Sequence, residues 1–229
     1  MDEKNEIRDR ILRAATDRIT HYGYAKTTMA EIAADCGMSA GNIYRFFESK
    51  ADLAEAMARK HYERQHFDMA QMSRRSDLAP DRRLKAMFFK RMKENFAMFA
   101  ENAKILDVAE VLKKERPVFM NEQLAQERVY IAAVLEEGAA AGLFREADYA
   151  FMAEMMQSAT VKFSIPQLFS QLTLPKLERE LDGVIDLVLF GAYRNEAEPK
   201  GGLPPGSEIL KEANVWGSEL EEAETAFAS

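Results

Sequence analysis

The residues best suited to contact another molecule lie in the short segment Ser39–Arg45. Ala40 and Gly41 are small enough to let a partner approach the backbone closely. Asn42 can pair with adenine or with a phosphate, and Arg45 can offer a two-pronged donor to guanine or to phosphate. These residue types at this spacing predict a surface that reads nucleic acid.

Further polar groups flank this segment on both sides. Tyr44 can donate its hydroxyl to a nucleic-acid backbone, while Thr27, Thr28 and Lys50 lie at helix starts, where exposed backbone N–H groups favour phosphate. The candidate DNA-binding residues are therefore Thr27, Thr28, Ser39, Ala40, Gly41, Asn42, Tyr44, Arg45 and Lys50.

The helix before this segment has clear start and stop signals. Thr28 and Glu31 form a Ser/Thr-x-x-Glu capping box that begins a helix over MAEIAADC. Gly37 ends that helix, because glycine tolerates the left-handed conformation of a tight exit. A first helix over ILRAATDRI precedes it and is closed by Gly23.

The next two helices begin at serines. Ser39 is suited to be the N-cap of a third helix, AGNIYRFF, whose Ile43 and Phe47 point inward four residues apart. Ser49 with Asp52 forms a second capping box and begins a fourth helix, which we expect to continue toward residue 70. Helix, glycine-containing turn and short helix are the layout of a helix-turn-helix, in which the second helix enters the major groove. The alternative is a packed three-helix unit without a DNA-binding role.

The rest of the chain also has helical periodicity, with no convincing alternating strand. Long helices are predicted near residues 82–101, 103–115, 118–141, 147–165 and 176–195, with breaks at Pro117, Gly142, Pro166 and Pro175. The fold class is therefore all-α, with about nine helices. We expect a helix-turn-helix domain over residues 1–53, a connecting helix near 50–70, a helical ligand-binding and dimerisation domain over 74–195, and a flexible acidic tail over 196–229.

Net charge neither supports nor excludes nucleic acid. The chain of 229 residues carries a formal charge of −7, and residues 196–229 alone account for −6 with eight Glu and two Lys. Residues 1–50 hold eight basic and eight acidic residues, and phosphate contacts need locally placed cations rather than a basic average. The N-terminus lacks the apolar core of a secretory signal, and no apolar run approaches the roughly 20 residues that cross a bilayer. A cytoplasmic protein is expected.

The stretch GYAKTTMAEIAADCGMSAGNIYRFFESKADL closely resembles the DNA-binding domain of the tetracycline-repressor (TetR) family of transcriptional regulators. ILRAATDRI resembles the family's first helix, and LPKLERELDGVIDLVLFGAY its last helix more weakly. The resemblance implies a homodimer, double-stranded DNA with an inverted-repeat operator, and repression relieved by a small molecule. By motif position it implies DNA contacts from Thr28, Ser39, Ala40, Gly41, Asn42, Tyr44, Arg45 and Lys50. Two positions depart from the family pattern: Ala40 replaces a frequent Lys or Arg, and Arg18 replaces a commonly apolar residue.

The predicted body is rich in Met and Phe, which favours two readings. These residues form either an ordinary core or an adaptable pocket for a small apolar ligand, because thioethers and rings can repack. The candidate pocket residues are Met92, Phe96, Phe99, Met156, Thr160 and Phe163.

The last predicted helix carries a broad apolar stripe, formed by Leu181, Val184, Ile185, Val188 and Leu189. A fully internal helix explains such a stripe, and so does a dimer seam of the kind that the resemblance implies.

No residue pattern indicates a cofactor, a metal site or an enzyme. His21, His61 and His66 lack acidic or cysteine partners at ligand spacing, and Cys36 is interpreted as a buried structural cysteine rather than a redox switch. The sequence therefore predicts a dimeric, sequence-specific transcriptional regulator, acting as a repressor released by a small apolar ligand. The alternatives are an architectural or division-control DNA-binding protein without an inducer, and an enzyme or hydrophobic-ligand carrier that keeps the head as a scaffold.

Overall fold

The computed structural model describes residues 3–165 and 173–192, and within these ranges every regular element is a helix. The nine α-helices of these ranges are α1 Glu3–Tyr22, α2 Met29–Asp35, α3 Ala40–Ile43, α4 Lys50–Ser73, α5 Pro80–Glu101, α6 Leu106–Glu115, α7 Phe119–Ala140, α8 Tyr149–Ala159 and α9 Leu174–Ala192. Short 3-10 turns follow α5 and α8, at Ala103–Ile105 and Val161–Phe163. The all-helical fold class is confirmed.

Several predicted boundaries shift. The third helix is only four residues long, because after Ile43 the chain continues as turns rather than as a helix to Phe47. The helix predicted near 147–165 ends at Ala159. Pro175 was expected to break the chain, but it lies in the first turn of α9, where a missing backbone N–H leaves no hydrogen bond unmade. The predicted helix end at 195 and the tail over 196–229 lie outside the described residues.

Three apolar clusters hold these helices together. The head (residues 3–49) packs with the start of α4 around Ile11, Ile32 and Leu53, all of which are fully buried. The body (residues 80–165 and 173–192) packs with the end of α4 around a larger core formed by α5, α7, α8 and α9. A third cluster, which includes Ile19 and Phe119, joins head and body across α4. One long helix therefore takes part in all three clusters.

Candidate nucleic-acid interface

The turn between α2 and α3 sets the direction of Ser39–Arg45, the segment predicted to contact DNA bases. The capping box at the start of α2 is complete: Glu31 N donates to Thr28 Oγ1 at 3.3 Å, and Thr28 N donates to a Glu31 carboxylate oxygen at 2.9 Å. At the other end Gly37 adopts φ +67°, and Met38 N donates to Ala33 O at 3.0 Å. Because a side chain at that φ is strained, glycine is the residue that permits this sharp exit.

The α3 segment has two distinct faces. Ile43 and Phe47 are buried in the head, with 0% and 2% of their surface exposed. The outward side chains are those of Ser39, Ala40, Gly41, Tyr44 and Arg45, with Asn42 half-buried. The structure therefore brings this part of the predicted set to one surface.

Packing among the residues that the structure describes does not require the small residues on this surface. A Cβ added at Gly41 would meet no atom within 4 Å, and Ala40 is exposed. Ser39 is the N-cap of α3 by position, yet its hydroxyl makes no capping hydrogen bond. Space and a polar hydroxyl at the start of α3 thus remain available to a partner.

Thr27 and Lys50 have internal roles that the sequence did not predict. The Thr27 side chain is buried, its hydroxyl donates to Gly23 O at 2.9 Å, and its backbone N–H donates to Tyr24 O at 3.2 Å. Lys50 Nζ donates to Tyr24 O at 2.8 Å and to Thr27 O at 2.9 Å, and it lies 4.1 Å from the centre of the Tyr24 ring. Burial lowers the pKa of Lys50. Both residues fix the turn between α1 and α2.

Two arginines of α1 contact the residues that precede and follow the segment Ser39–Arg45. Arg8 donates to Phe46 O at 2.8 Å and lies over the Phe47 ring. Arg18 forms a two-pronged contact with Asp35 at the end of α2, which raises the pKa of Arg18 and lowers that of Asp35. The sequence marked Arg18 only as a departure from the family pattern, and nothing in the local spacing of Arg8 indicated its partner 38 residues away.

Ion pairs join the start of α4 to the corner between α6 and α7. Ser49 Oγ accepts from Asp52 N at 3.1 Å, but the Asp52 carboxylate bonds to Arg116 instead of completing a capping box. Arg116 also donates to Glu55 at 2.7 Å, and Arg59 links Glu55 to α7. The start of α4, on which the head packs, is therefore held directly by the body.

The residues predicted to line a ligand pocket are packed into the interior. Met92, Met156 and Thr160 are at most 1% exposed, Phe163 and Phe99 are buried, and Phe96 is partly buried. Two cavities of the described residues lie elsewhere: a small one between α4 and α5, and an open groove along α8 and α9. Of the predicted set, only Phe163 lines either of these two.

The apolar stripe of α9 divides between two surroundings. Leu181, Ile185 and Leu189 are at most 1% exposed because they belong to the body's own core. Other large apolar side chains of α8, α9 and the turn between them face outward: Phe151, Met155, Val161, Leu187 and Phe190. Leu187 and Phe190 are 77% and 72% exposed, so no other part of the described chain covers this apolar face of α9.

Other predicted features have these positions. Cys36 is buried, and burial raises the pKa of its thiol, so the reactive thiolate is disfavoured. Among the described residues, no three His, Cys, Asp or Glu side chains are grouped so that they could hold a metal ion. None of the described helices is long and apolar enough to cross a membrane.

Two family models match the chain in sequence. Residues 11–57 match the one described as "Bacterial regulatory proteins, tetR family", and residues 80–185 match "Tetracyclin repressor-like, C-terminal domain". No curated protein matches the chain.

Solved structures with a similar fold are regulators from several bacteria. A TetR-family transcriptional regulator from Mesorhizobium loti superimposes with a TM-score of 0.66 at 16% identity, covering 85% of this chain and 100% of its own. SmeT, the repressor of the Stenotrophomonas maltophilia multidrug efflux pump SmeDEF, gives 0.62 at 20% identity, with 86% and 95% covered. FadR from Thermus thermophilus, a TetR-family repressor in complex with lauroyl-CoA, gives 0.59 at 19% identity, with 85% and 100% covered.

Proposed function

Because the chain belongs to the tetR family of bacterial transcription regulators, we propose that it is a dimeric, sequence-specific DNA-binding repressor that a small apolar ligand releases from its operator. The observation that carries this proposal is the outward face of α3, where Ala40 is exposed and a Cβ at Gly41 would meet no other atom of the described residues within 4 Å. Small residues beside an exposed Arg45 suit a surface that fits into a DNA groove.

In this proposal the outward residues divide into two kinds of contact. Asn42 and Arg45 reach base edges in the major groove, with Ala40 and Gly41 allowing the approach. Ser39 and Tyr44 contact phosphates and fix the register, whereas Thr28 acts by capping α2, because its N–H and its hydroxyl both donate to Glu31. Lys50 retains one N–H beyond its two internal bonds, which suits a phosphate contact, whereas Thr27 acts by holding the turn.

The dimer is proposed to form through α8 and α9. Their exposed apolar side chains, including Phe151, Leu187 and Phe190, make a face of the kind that marks protein interfaces. A two-fold dimer presents two copies of α3 to half-sites about 34–36 Å apart. A ligand that shifts this spacing by a few ångströms releases one head from the DNA without touching it.

Selection of bound fragments from a random double-stranded DNA pool, at low and at near-physiological salt, tests the proposed reading function. We expect an enriched inverted repeat that survives the higher salt. If nothing is enriched, or if binding vanishes uniformly with salt, only phosphate attraction remains and the architectural alternative replaces this proposal.

Sedimentation of two matched variants tests the dimer. Leu187→Glu places a charge in the proposed dimer interface and should yield monomers. Val129→Glu changes a 63% exposed side chain of α7 and should leave the dimer intact. A Leu187→Glu variant that remains dimeric would mean that the dimer interface lies elsewhere.

A further inference from the structure

The seam between α4 and α5 is built from two matching helix faces. The residues on one side are Gln65, Asp68, Met69 and Met72 of α4, and those on the other are Met87, Lys90, Arg91 and Glu94 of α5. Both sets follow the same spacing of three, one and three residues, which places each set along one face of its helix. Between these two faces lies a partly open cavity of about 10 Å³, the space of one water molecule.

The seam is apolar inside and charged at its rim. Met69 and Met87 are at most 4% exposed, and Met72 packs against the same core. At the rim Lys90 Nζ lies 3.2 Å from Asp68 and 2.7 Å from Glu94. Because unbranched thioethers repack easily, this seam can widen at a lower cost than one lined by branched or aromatic side chains.

Arg91 lines this cavity and has one guanidinium nitrogen without a hydrogen-bond partner among the described residues. Its guanidinium pairs with Glu127, it donates to Thr160 Oγ1 at 3.3 Å, and only 7% of its surface is exposed. Among the residues that the structure describes, its Nε has no hydrogen-bond partner, although it is shielded from solvent. A buried charged donor without an acceptor is unfavourable, so the site is suited to a partner that supplies one.

We propose that the α4–α5 seam opens to bind a neutral molecule with an apolar body and one carbonyl oxygen, which accepts a hydrogen bond from Arg91 Nε. This inference rests on the proposed ligand-released function and specifies the chemistry of the ligand. The carbonyl satisfies the unused donor, and the three methionines repack around the apolar part.

The charges around the seam favour a neutral ligand over an ionic one. Asp68, Glu94 and Glu127 together carry one more charge than Lys90 and Arg91, so the surroundings are already negative by one. A carboxylate would add a second uncompensated negative charge in a partly dry site. A cation would suit the net charge but cannot accept from Arg91 Nε.

Three eight-carbon compounds distinguish these possibilities on the full chain without DNA: 2-octanone, octanoate and octane. The side-chain N–H resonance of Arg91 Nε, identified by its loss in Arg91→Lys, reports the contact directly. We expect 2-octanone to shift this resonance and to bind about tenfold or more tightly than either other compound, as the loss of a hydrogen bond to a charged group implies. A resonance that no compound shifts would mean that the cavity holds only water, and tighter binding of octanoate or octane would also overturn the proposal.

A filled seam provides a second test that leaves the Arg91–Glu127 pair intact. Met72→Phe should weaken binding of 2-octanone by about tenfold or more, because the ring occupies the space that opens. Met152→Phe is the matched control, since Met152 packs half-buried on the same core and does not line the cavity. Equal ketone binding by Met72→Phe and the native chain would contradict the assignment.

Failure here is distinguishable from failure of the proposed function. The DNA selection is performed without ligand, and the ketone titration without DNA. A chain that enriches an inverted repeat but binds no ketone is a regulator whose ligand has other chemistry, whereas one that binds the ketone and selects no DNA retains this site but not the proposed function.

Discussion

The caps that begin α2 and α4 join residues three positions apart near the surface, whereas three buried polar contacts that tie α5 to α4, α7 and the end of α8 join residues 30 to 69 positions apart. Thr28 and Glu31 exemplify the first kind, and Arg91 with Glu127 the second. A local cap costs little to desolvate because water still reaches it. Removal of one partner of a buried ion pair leaves the other charge buried and uncompensated, which strongly destabilises the folded protein. The surface caps should thus tolerate substitution better than the buried polar contacts of α5.

Loss of one buried charge should produce the largest effect and would sharpen this contrast. Glu127→Ala leaves the Arg91 guanidinium buried without its carboxylate, so we expect the free energy of unfolding in urea to fall by about 3–5 kcal/mol. The apolar double replacement Arg91→Met with Glu127→Leu should recover most of that loss. As a surface control, Lys93→Ala removes an exposed pair with Glu178 and should change stability by about 0–1 kcal/mol. A loss from Glu127→Ala no larger than the control's would remove the distinction between buried and surface polar contacts.

A matched pair of glycine replacements compares the regions through packing. A Cβ at Gly138 of α7 would overlap the buried Phe144 ring, so Gly138→Ala should destabilise the chain by about 1–3 kcal/mol. Gly41→Ala has free space and should leave the melting temperature unchanged or raised while weakening operator binding. Thermal unfolding and DNA titration of both variants check this. A Gly41→Ala variant that melts early and binds DNA normally would reverse the interpretation of α3.

Removal of the exposed guanidinium of Arg45, in the turn that follows α3, should affect DNA binding and not stability. Arg45→Ala should weaken binding to the selected operator by about 1–3 kcal/mol if Arg45 reads a base. Arg82→Ala, an exposed cation on α5, is the control and should bind as the native chain does. An equal loss on all DNA sequences would make Arg45 a phosphate contact.

The smallest expected effect is a change in the acid sensitivity of the head. The hydrogen bond from Arg18 lowers the pKa of Asp35 below its usual 3.8. The stabilisation by this pair is therefore complete above that usual value and is lost as the pH falls through the lowered one. Asp35→Asn should flatten the decline of stability below about pH 4. Unfolding measured across that range tests it, and an unchanged slope would show that the Arg18–Asp35 contact contributes no stability.

The same contrast explains what the sequence could predict. Caps, glycine exits and inward apolar spacing are local, so the head and the face of α3 were predictable from their residues. The internal hydrogen bonds of Thr27 and Lys50 were not predictable. Their acceptors are the backbone carbonyl oxygens of Gly23 and Tyr24, and every residue has such an oxygen. The Arg91 contacts and the cavity of the α4–α5 seam were missed for a similar reason. They depend on which helices pack together. Helical periodicity predicts which face of a helix is apolar, but it does not predict which other helix packs against that face.

Because α4 is long and unbroken, a small tilt of this helix produces a large displacement at its far end. Its 24 residues, Lys50–Ser73, extend over about 36 Å at the usual rise per residue. If the end beside α5 stays in place and the helix tilts by about 5°, the end at Lys50 moves by about 3 Å, simply because the arm is long. A side-chain rearrangement too small to disturb the core can therefore appear at the head as a displacement comparable to the length of a hydrogen bond.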